Sequence, residues 1–342
     1  MWVIGVYSRC SITSQEVFTV LINPAMSDIL LANRFLEGRI RRTPLEKSLQ
    51  LGEITGGEVF IKWENQQIAG SFKIRGALNK MFSLDEGERE RGVVTASSGN
   101  HAQGIAIAAS MLGVRAAVCV PESCPVTKQK AIRRLGGEWV RLHVSGPFYD
   151  DAEKEAHRLE TEEGMTYVSS FEDHWIISGA GTTGLEMFLA EPELDAVIVP
   201  AGGGGLISGV ALAAKSLRPS VEVWGVQSVA SQPFVASWPK GRVVEVEYSD
   251  SLADGLTGSI PQSLLDLARL RVSGFIAVTE EEIARAIAWL HREHHQVVEG
   301  AGAVGVAALL SGRISGWGRR VGVLVSGGNI DHERLEDILS RY

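Results

Sequence analysis

The sequence predicts an α/β protein of two lobes, each a mostly parallel sheet wrapped by helices. Three observations carry the prediction. Short β-branched runs alternate with helical stretches between Val93 and Glu163, giving a βαβαβα series. A second βα series starts at Ala196 and runs to Val325. The chain has 342 residues, a length that suggests about two domains or one large α/β unit with an inserted lobe, and 45% of them are apolar, enough for a substantial core.

Taken in order, residues 1–25 alternate β-branched and polar residues, with Arg9 their only basic side chain. A secretory signal needs a basic start and an unbroken apolar core, and neither is present. This stretch is expected to be an extension outside the fold; an extra strand or arm is the competing reading. Asp28 is placed to cap a helix carrying Ile29, Leu30, Phe35 and Leu36, which Gly38 would end. Thr43-Pro44-Leu45 reads as a rigid turn and Val59–Lys62 as a strand. A helical pattern follows through Ala77, Leu78, Met81 and Phe82. Strands are then expected at Val93–Thr95, Ala116–Val120 and Trp139–Leu142, with helices at Ala102–Leu112, Lys128–Leu135 and Asp150–Glu163. The second series has strands at Val197–Val199, Val221–Val226, Phe275–Val278 and Val321–Val325. Its helices lie near Ser208–Leu217, Ser263–Ala268, Glu280–His291 and Ala301–Leu310. The expected division is a large domain over 26–91 and 169–342, with a small mobile domain over 92–168. No separate regulatory domain is expected to follow the last motif.

Charge and composition narrow the function. The 33 basic and 41 acidic residues leave a net charge of −8, with no Lys/Arg cluster, which argues against nucleic acid. No apolar run is as long as a membrane span. Cys10, Cys119 and Cys124 give no disulfide framework, which fits a reducing, cytoplasmic setting. Cys119 and Cys124 lack a second ligand pair, so no metal site is expected there. His291 and His295, four apart with His294 between, lack an H-E-x-x-H pattern and read as a solvated helix face.

Three loops carry chemistry. In Gly70-Ser71-Phe72-Lys73-Ile74-Arg75-Gly76-Ala77, Lys73 falls near the first turn of a helix. The positive end of that helix disfavours its ammonium form, and a neutral lysine can attack a carbonyl. Gly202-Gly203-Gly204-Gly205-Leu206 follows an apolar strand and opens a helix, so its bare N–H groups suit a phosphate. Neither a P-loop ending nor G-x-G-x-x-G spacing is present, which favours a phosphate without a nucleotide. Ser97-Ser98-Gly99-Asn100-His101 also joins a strand to a helix, and its N–H groups can hold an anion. Simple N-capping by the serines is the structural alternative.

With Ser326-Gly327-Gly328-Asn329, these stretches resemble the fold-type II pyridoxal-phosphate family, near the serine/threonine dehydratases and serine racemases. The likeness runs from about residue 28 to the end, and catabolic threonine dehydratases are the nearest match. It implies a tryptophan synthase beta-like fold and pyridoxal 5′-phosphate bound to Lys73. It further implies Phe72 packing on the cofactor, Gly202 to Leu206 cupping its phosphate, and Asn100 facing its ring hydroxyl. Ser326 would face the pyridine nitrogen, a neutral partner that favours elimination over transamination. Ser97, Ser98, Gly99, Asn100 and His101 would grip the substrate carboxylate, and Gly255 and Glu299 would close the site. The resemblance implies a homodimer or higher homo-oligomer acting on a small hydroxyamino acid. The expected reaction is deamination of L-threonine or L-serine to a 2-oxo acid and ammonia.

Two positions separate the branches of this family. Divalent-metal serine racemases carry acids where this chain has Gln227 and Pro233, so that metal site is expected to be absent. Ser98 points the other way, because racemases use a serine there as an acid/base on the far face of the cofactor. A serine racemase or hydroxyaspartate dehydratase/racemase therefore stands as the alternative. A catalytically silent ligand-binding protein on the same scaffold is the alternative from another class.

Overall fold

In the computed structural model, residues 22–314 and 319–342 are described. The expected extension falls outside them up to residue 21, and so does Cys10. Ile22 packs against the cluster of Ile177, Leu264 and Leu267.

The first elements are α1 (Met26–Leu36), β1 (Leu45–Ser48), α2 (Leu49–Thr55), β2 (Glu58–Trp63), α3 (Lys73–Phe82) and α4 (Glu86–Arg91). Next come β3 (Val93–Ala96), α5 (Asn100–Leu112), β4 (Ala116–Val120), α6 (Val126–Gly136), β5 (Val140–Val144), α7 (Tyr149–Glu163) and β6 (Thr166–Tyr167). The chain continues through α8 (His174–Ala190), β7 (Ala196–Pro200), α9 (Gly205–Leu217), β8 (Glu222–Ser228) and α10 (Pro233–Ser237). It ends with α11 (Gln262–Arg269), β9 (Gly274–Val278), α12 (Glu280–His294), α13 (Gly300–Leu310), β10 (Arg320–Val325) and α14 (His332–Arg341).

Two sheets result. The larger has the order β1-β2-β10-β7-β8-β9 and is parallel except for β1, which runs against β2. The smaller, β5-β4-β3-β6, is parallel throughout. Its core takes in α3 as well as α5, with Ile74, Leu78 and Met81 beside Ile105 and Val118. The helix that starts at Lys73 is therefore packed against the small sheet's helices.

Several local expectations need correction. Asp28 is not the cap of α1. The helix starts two residues earlier, and the Asp28 carboxylate reaches back to accept the Ala25 N–H at 2.7 Å. Leu45 is not in a turn but opens β1, which pairs across to Lys62. His295 is the left-handed cap of α12, with φ 53°, so it cannot share a helix face with His291. Nor is His294 a solvated side chain: its Nε2 lies 3.0 Å from Ser48 Oγ, and its ring is in tilted contact with Trp63 and Trp289.

The longest helix, α8, has no counterpart in the sequence reading. It is buried on every side from Ile176 to Phe188, so it shows no amphipathic period, and Gly179, Gly181 and Gly184 read as breakers. The glycines are packing devices. A Cβ at Gly179 would lie 2.8 Å from Gly76 Cα, and one at Gly184 would lie 3.0 Å from Val210 O. They let α8 press against α3 on one side and α9 on the other.

A buried charge cluster ties these pieces together. Arg75 is fully buried and forks onto two carboxylates, Glu64 at 2.8 Å and Glu186 at 2.7 Å. Lys62 reaches Glu186 at 2.5 Å and the Thr43 carbonyl at 2.7 Å, and Thr43 donates its hydroxyl to Glu64. Burial works against the charge on Glu64, but Arg75, Lys62 and Thr43 outweigh it and hold that carboxyl below its usual range. Two cations thus balance two anions between β2, α3 and α8.

Candidate active site

The site forms where the loop before α3 meets the end of β10. Ser71 bridges Gly327, the Phe72 N–H donates to Ser326 O at 3.0 Å, and Gly328 N–H donates to Gly70 O at 2.9 Å. Lys73 follows as the first residue of α3, as its sequence context implies. Its amine donates to the Ser170 carbonyl at 2.8 Å and lies 5.4 Å from the centre of the Phe72 ring. Its pKa is lowered to about 8. Burial is the main cause, and the Glu299 charge opposes it. The direction matches the sequence argument, but desolvation rather than the helix dipole dominates.

The other loops converge on this amine. Gly104 lets α5 dock against the lysine, since a Cβ there would sit 3.2 Å from the Lys73 carbonyl carbon. The serine–asparagine loop precedes α5, whose cap is Gly99 with no side-chain bond, so N-capping does not occupy Ser98. Ser97 Oγ accepts only the Gly99 N–H, at 3.3 Å. Asn100 and His101 are the first residues of α5, where N–H groups have no helical acceptor. The His101 ring turns inward toward Val168 O at 3.3 Å, and burial followed by the Lys73 charge drops its pKa to about 3. His101 can therefore meet an anion through its backbone, while its ring stays neutral.

The glycine turn carries the same logic. Gly204, at φ 102°, caps α9, and Gly205 and Leu206 are its first residues. None of the five N–H groups from Gly202 to Leu206 has a hydrogen-bond acceptor among the described residues. Phe171 roofs the turn, with its ring 2.5 Å from where a Gly203 Cβ would be. Gly255 is exposed but adjoins the turn, its carbonyl 3.3 Å from a Cβ at Gly202. Ser326 is buried, and its hydroxyl has only a long 3.4 Å contact with Ala301 O. Ser71 Oγ is buried without any partner.

Glu299 joins the halves. Its carboxylate accepts the Asn100 side-chain N–H at 2.6 Å, and Asn329 bonds Asn100 Oδ1 at 2.7 Å. Burial raises the Glu299 pKa to about 7, against the pull of Asn100. A cavity of about 10 Å³ opens beside it, lined by Lys128, Asp254, Asn329 and Arg334 among others, with room for about one water. A larger groove of about 550 Å³ lies at the opposite, amino-terminal end of the strands. Its charges pair with each other, Arg320 with Glu58 and Arg218 with Asp195, and parallel sheets bind ligands at their carboxyl ends.

These groups fit pyridoxal phosphate. An amine of lowered pKa, a cradle of unused N–H groups and a buried neutral hydroxyl correspond to its aldehyde, phosphate and ring nitrogen. Comparison with known proteins decides the matter: residues 36–327 match the family described as "Pyridoxal-phosphate dependent enzyme". The chain belongs to that family. Members with similar sequences include an L-threonine ammonia-lyase from Thermotoga maritima, 44% identical over 92% of this chain and 78% of that one. A catabolic L-threonine dehydratase from Staphylococcus aureus is 40% identical over 92% of each chain. Among solved structures, maize serine racemase superposes with a TM-score of 0.87 at 32% identity, covering 93% of this chain and 97% of that one. The serine racemase of Dictyostelium discoideum does so at 0.84 and 33%, covering 90% and 99%, and a solved threonine deaminase at 0.84 and 36% with the same coverage.

Family members of the metal-binding type need an acid where Gln227 stands. Here that side chain is a structural tie. It is fully buried, donating to Ala201 O at 3.0 Å and accepting the Phe234 and Val235 N–H groups at 2.9 and 3.2 Å. Among the described residues no group of three or more metal-ligating side chains occurs, and no helix is long and apolar enough to cross a membrane. Sequence reasoning missed Ser170, Phe171 and the Arg75 cluster. Arg75 stands two residues after Lys73 and reads alone as a solvated cation. Nothing in the local sequence marks the other two.

Proposed function

We propose that this chain deaminates L-threonine or L-serine to the corresponding 2-oxo acid and ammonia, with pyridoxal phosphate held at Lys73. The observation that carries the reading is the convergence of a desolvated Lys73 with two loops of unused N–H groups. Bound there, pyridoxal phosphate supplies an electron sink for the substrate α-carbon. Lys73 would hold the cofactor, and its free amine would take the substrate α-proton. The N–H groups at the start of α5 hold the substrate carboxylate, and those from Gly202 to Leu206 hold the phosphate. Ser326 would offer the ring nitrogen a neutral hydroxyl, a partner that does not force its protonation. The substrate loses its α-proton and its β-hydroxyl, which leaves as water. The resulting enamine hydrolyses to the 2-oxo acid and ammonia. Residues 92–168 act as a lobe closing over the rest, and the enzyme works as a homo-oligomer in the cytoplasm.

Replacement of Lys73 with Ala should abolish the visible absorbance of the cofactor-loaded protein; an unchanged spectrum would refute the assignment. A panel of hydroxyamino acids scored by 2-oxo acid formation then identifies the substrate. One observation favours a second activity: the half-buried Ser98 hydroxyl has no partner among the described residues and is free to reprotonate the α-carbon. Chiral analysis with L-serine separates the two, since racemisation gives D-serine and elimination gives pyruvate. Absence of ammonia from every hydroxyamino acid would leave a silent ligand-binding protein.

A further inference from the structure

The side-chain amide of Asn100 has a fixed orientation, and the residue that fixes it is Asn329. Asn329 Nδ2 donates to the backbone carbonyl of Ala69 at 2.9 Å. A carbonyl can only accept, so the amide of Asn329 cannot be turned round. Its second N–H goes to Asn100 at 2.7 Å, so Asn100 must show its oxygen to Asn329. The Asn100 Nδ2 then points the other way, where one of its N–H groups meets Glu299 at 2.6 Å. Glu299, Asn100 and Asn329 thus form a chain of side-chain hydrogen bonds. Gly70 makes room for it: it has φ 67°, and a Cβ there would fall on Asn329 Oδ1. One Asn100 N–H is left over.

We propose that Asn329 is a positioning residue, which holds the Asn100 amide so that this remaining N–H, and not the oxygen, faces the ring hydroxyl of bound pyridoxal phosphate. The inference rests on the reading that Asn100 meets that hydroxyl. A donor in this place favours the ionised oxygen, and a carbonyl would oppose it. Asn329 acts through Asn100, its side chain being engaged by Ala69 O and Asn100 Oδ1.

Asn329→Asp and Asn329→Ala test this together. Aspartate keeps the volume but replaces both donors with acceptors, so Asn100 turns its NH2 toward it and shows its oxygen to the cofactor. Alanine removes the donor from behind and leaves Glu299 alone to hold the Asn100 amide. The measurements are the pH titration of the visible absorbance of the loaded protein without substrate, and the Kd for pyridoxal phosphate. In N329D the titration midpoint should rise by about one pH unit and Kd weaken about tenfold; N329A should change less in both. A role in packing alone predicts the reverse order, because aspartate fills the space that alanine empties. Wild-type values in N329D, or a larger effect in N329A, overturn the proposal. If N329D does not fold, wild-type values in N329A overturn it. A wild-type protein that gains no visible absorbance overturns the functional reading and this inference with it. A normal wild-type spectrum with an unmoved N329D overturns this inference alone.

Discussion

The lowered pKa of Lys73 comes from where its amine sits rather than from the residues beside it in sequence. Burial lowers its pKa from 10.5 to about 8, so the free amine is present at much lower pH than for a solvated lysine. The rate at which the apoprotein takes up pyridoxal phosphate should therefore rise with pH with a midpoint near 8. A midpoint near 10.5 in stopped-flow absorbance would contradict the desolvated site. Glu299 is shifted the opposite way, from 4.5 to about 7. A carboxyl with a raised folded pKa binds its proton more tightly in the folded state. Its contribution to stability is complete below about 4.5 and is lost as pH rises through about 7. Glu299→Gln should remove that loss, on the order of 3 kcal/mol at most, and flatten the apoprotein's stability between those pH values. Urea midpoints measured at pH 5 and pH 8 provide the check.

Among the elements, α3 and α8 decide whether the lysine is held. Arg75 on α3 satisfies Glu64 beside β2 and Glu186 on α8 together, and all three are buried. Arg75→Met would leave buried Glu64 without its ion-pair partner and Glu186 with Lys62 alone, and should cost about 3–5 kcal/mol. A calorimetric midpoint unchanged from wild type would mean that the cluster contributes nothing. Gly179→Ala tests the same contact by shape, since its Cβ would fall 2.8 Å from the Arg75 carbonyl carbon. Overpacking there should cost about 1–3 kcal/mol and weaken cofactor binding, because the helix that must yield begins at Lys73. In sequence this contact is hidden: α8 has no period, and its glycines look like loop punctuation.

At the scale of the molecule, the site is a junction. Asn100, at the carboxyl end of the small sheet's β3, meets Glu299 and Asn329 from the large sheet's side, 199 and 229 residues away. Lys128 and Asp254, 4.0 Å apart, form a second link across the same gap. A ligand bound between the sheets stabilises both. Loading with pyridoxal phosphate at about a hundredfold over Kd should stabilise the fold by about 2.7 kcal/mol. Thermal midpoints should rise with cofactor concentration in the wild type and much less in Lys73→Ala. Equal shifts in the two proteins would place the binding energy away from the lysine.

The two βα series, the lysine at a helix start and the two strand-to-helix turns rich in glycine and serine were legible in the sequence because each is a local pattern. Strand-to-helix turns announce themselves through glycine, serine and asparagine, and β-branched runs mark the parallel strands. Packing decided the rest. That Lys73 is desolvated, that the His101 ring faces inward, that His294 contacts two tryptophans and that Asn329 aims Asn100 all depend on residues distant in the chain. A side chain's charge and orientation follow from the groups that replace water around it, and only the folded chain chooses those groups.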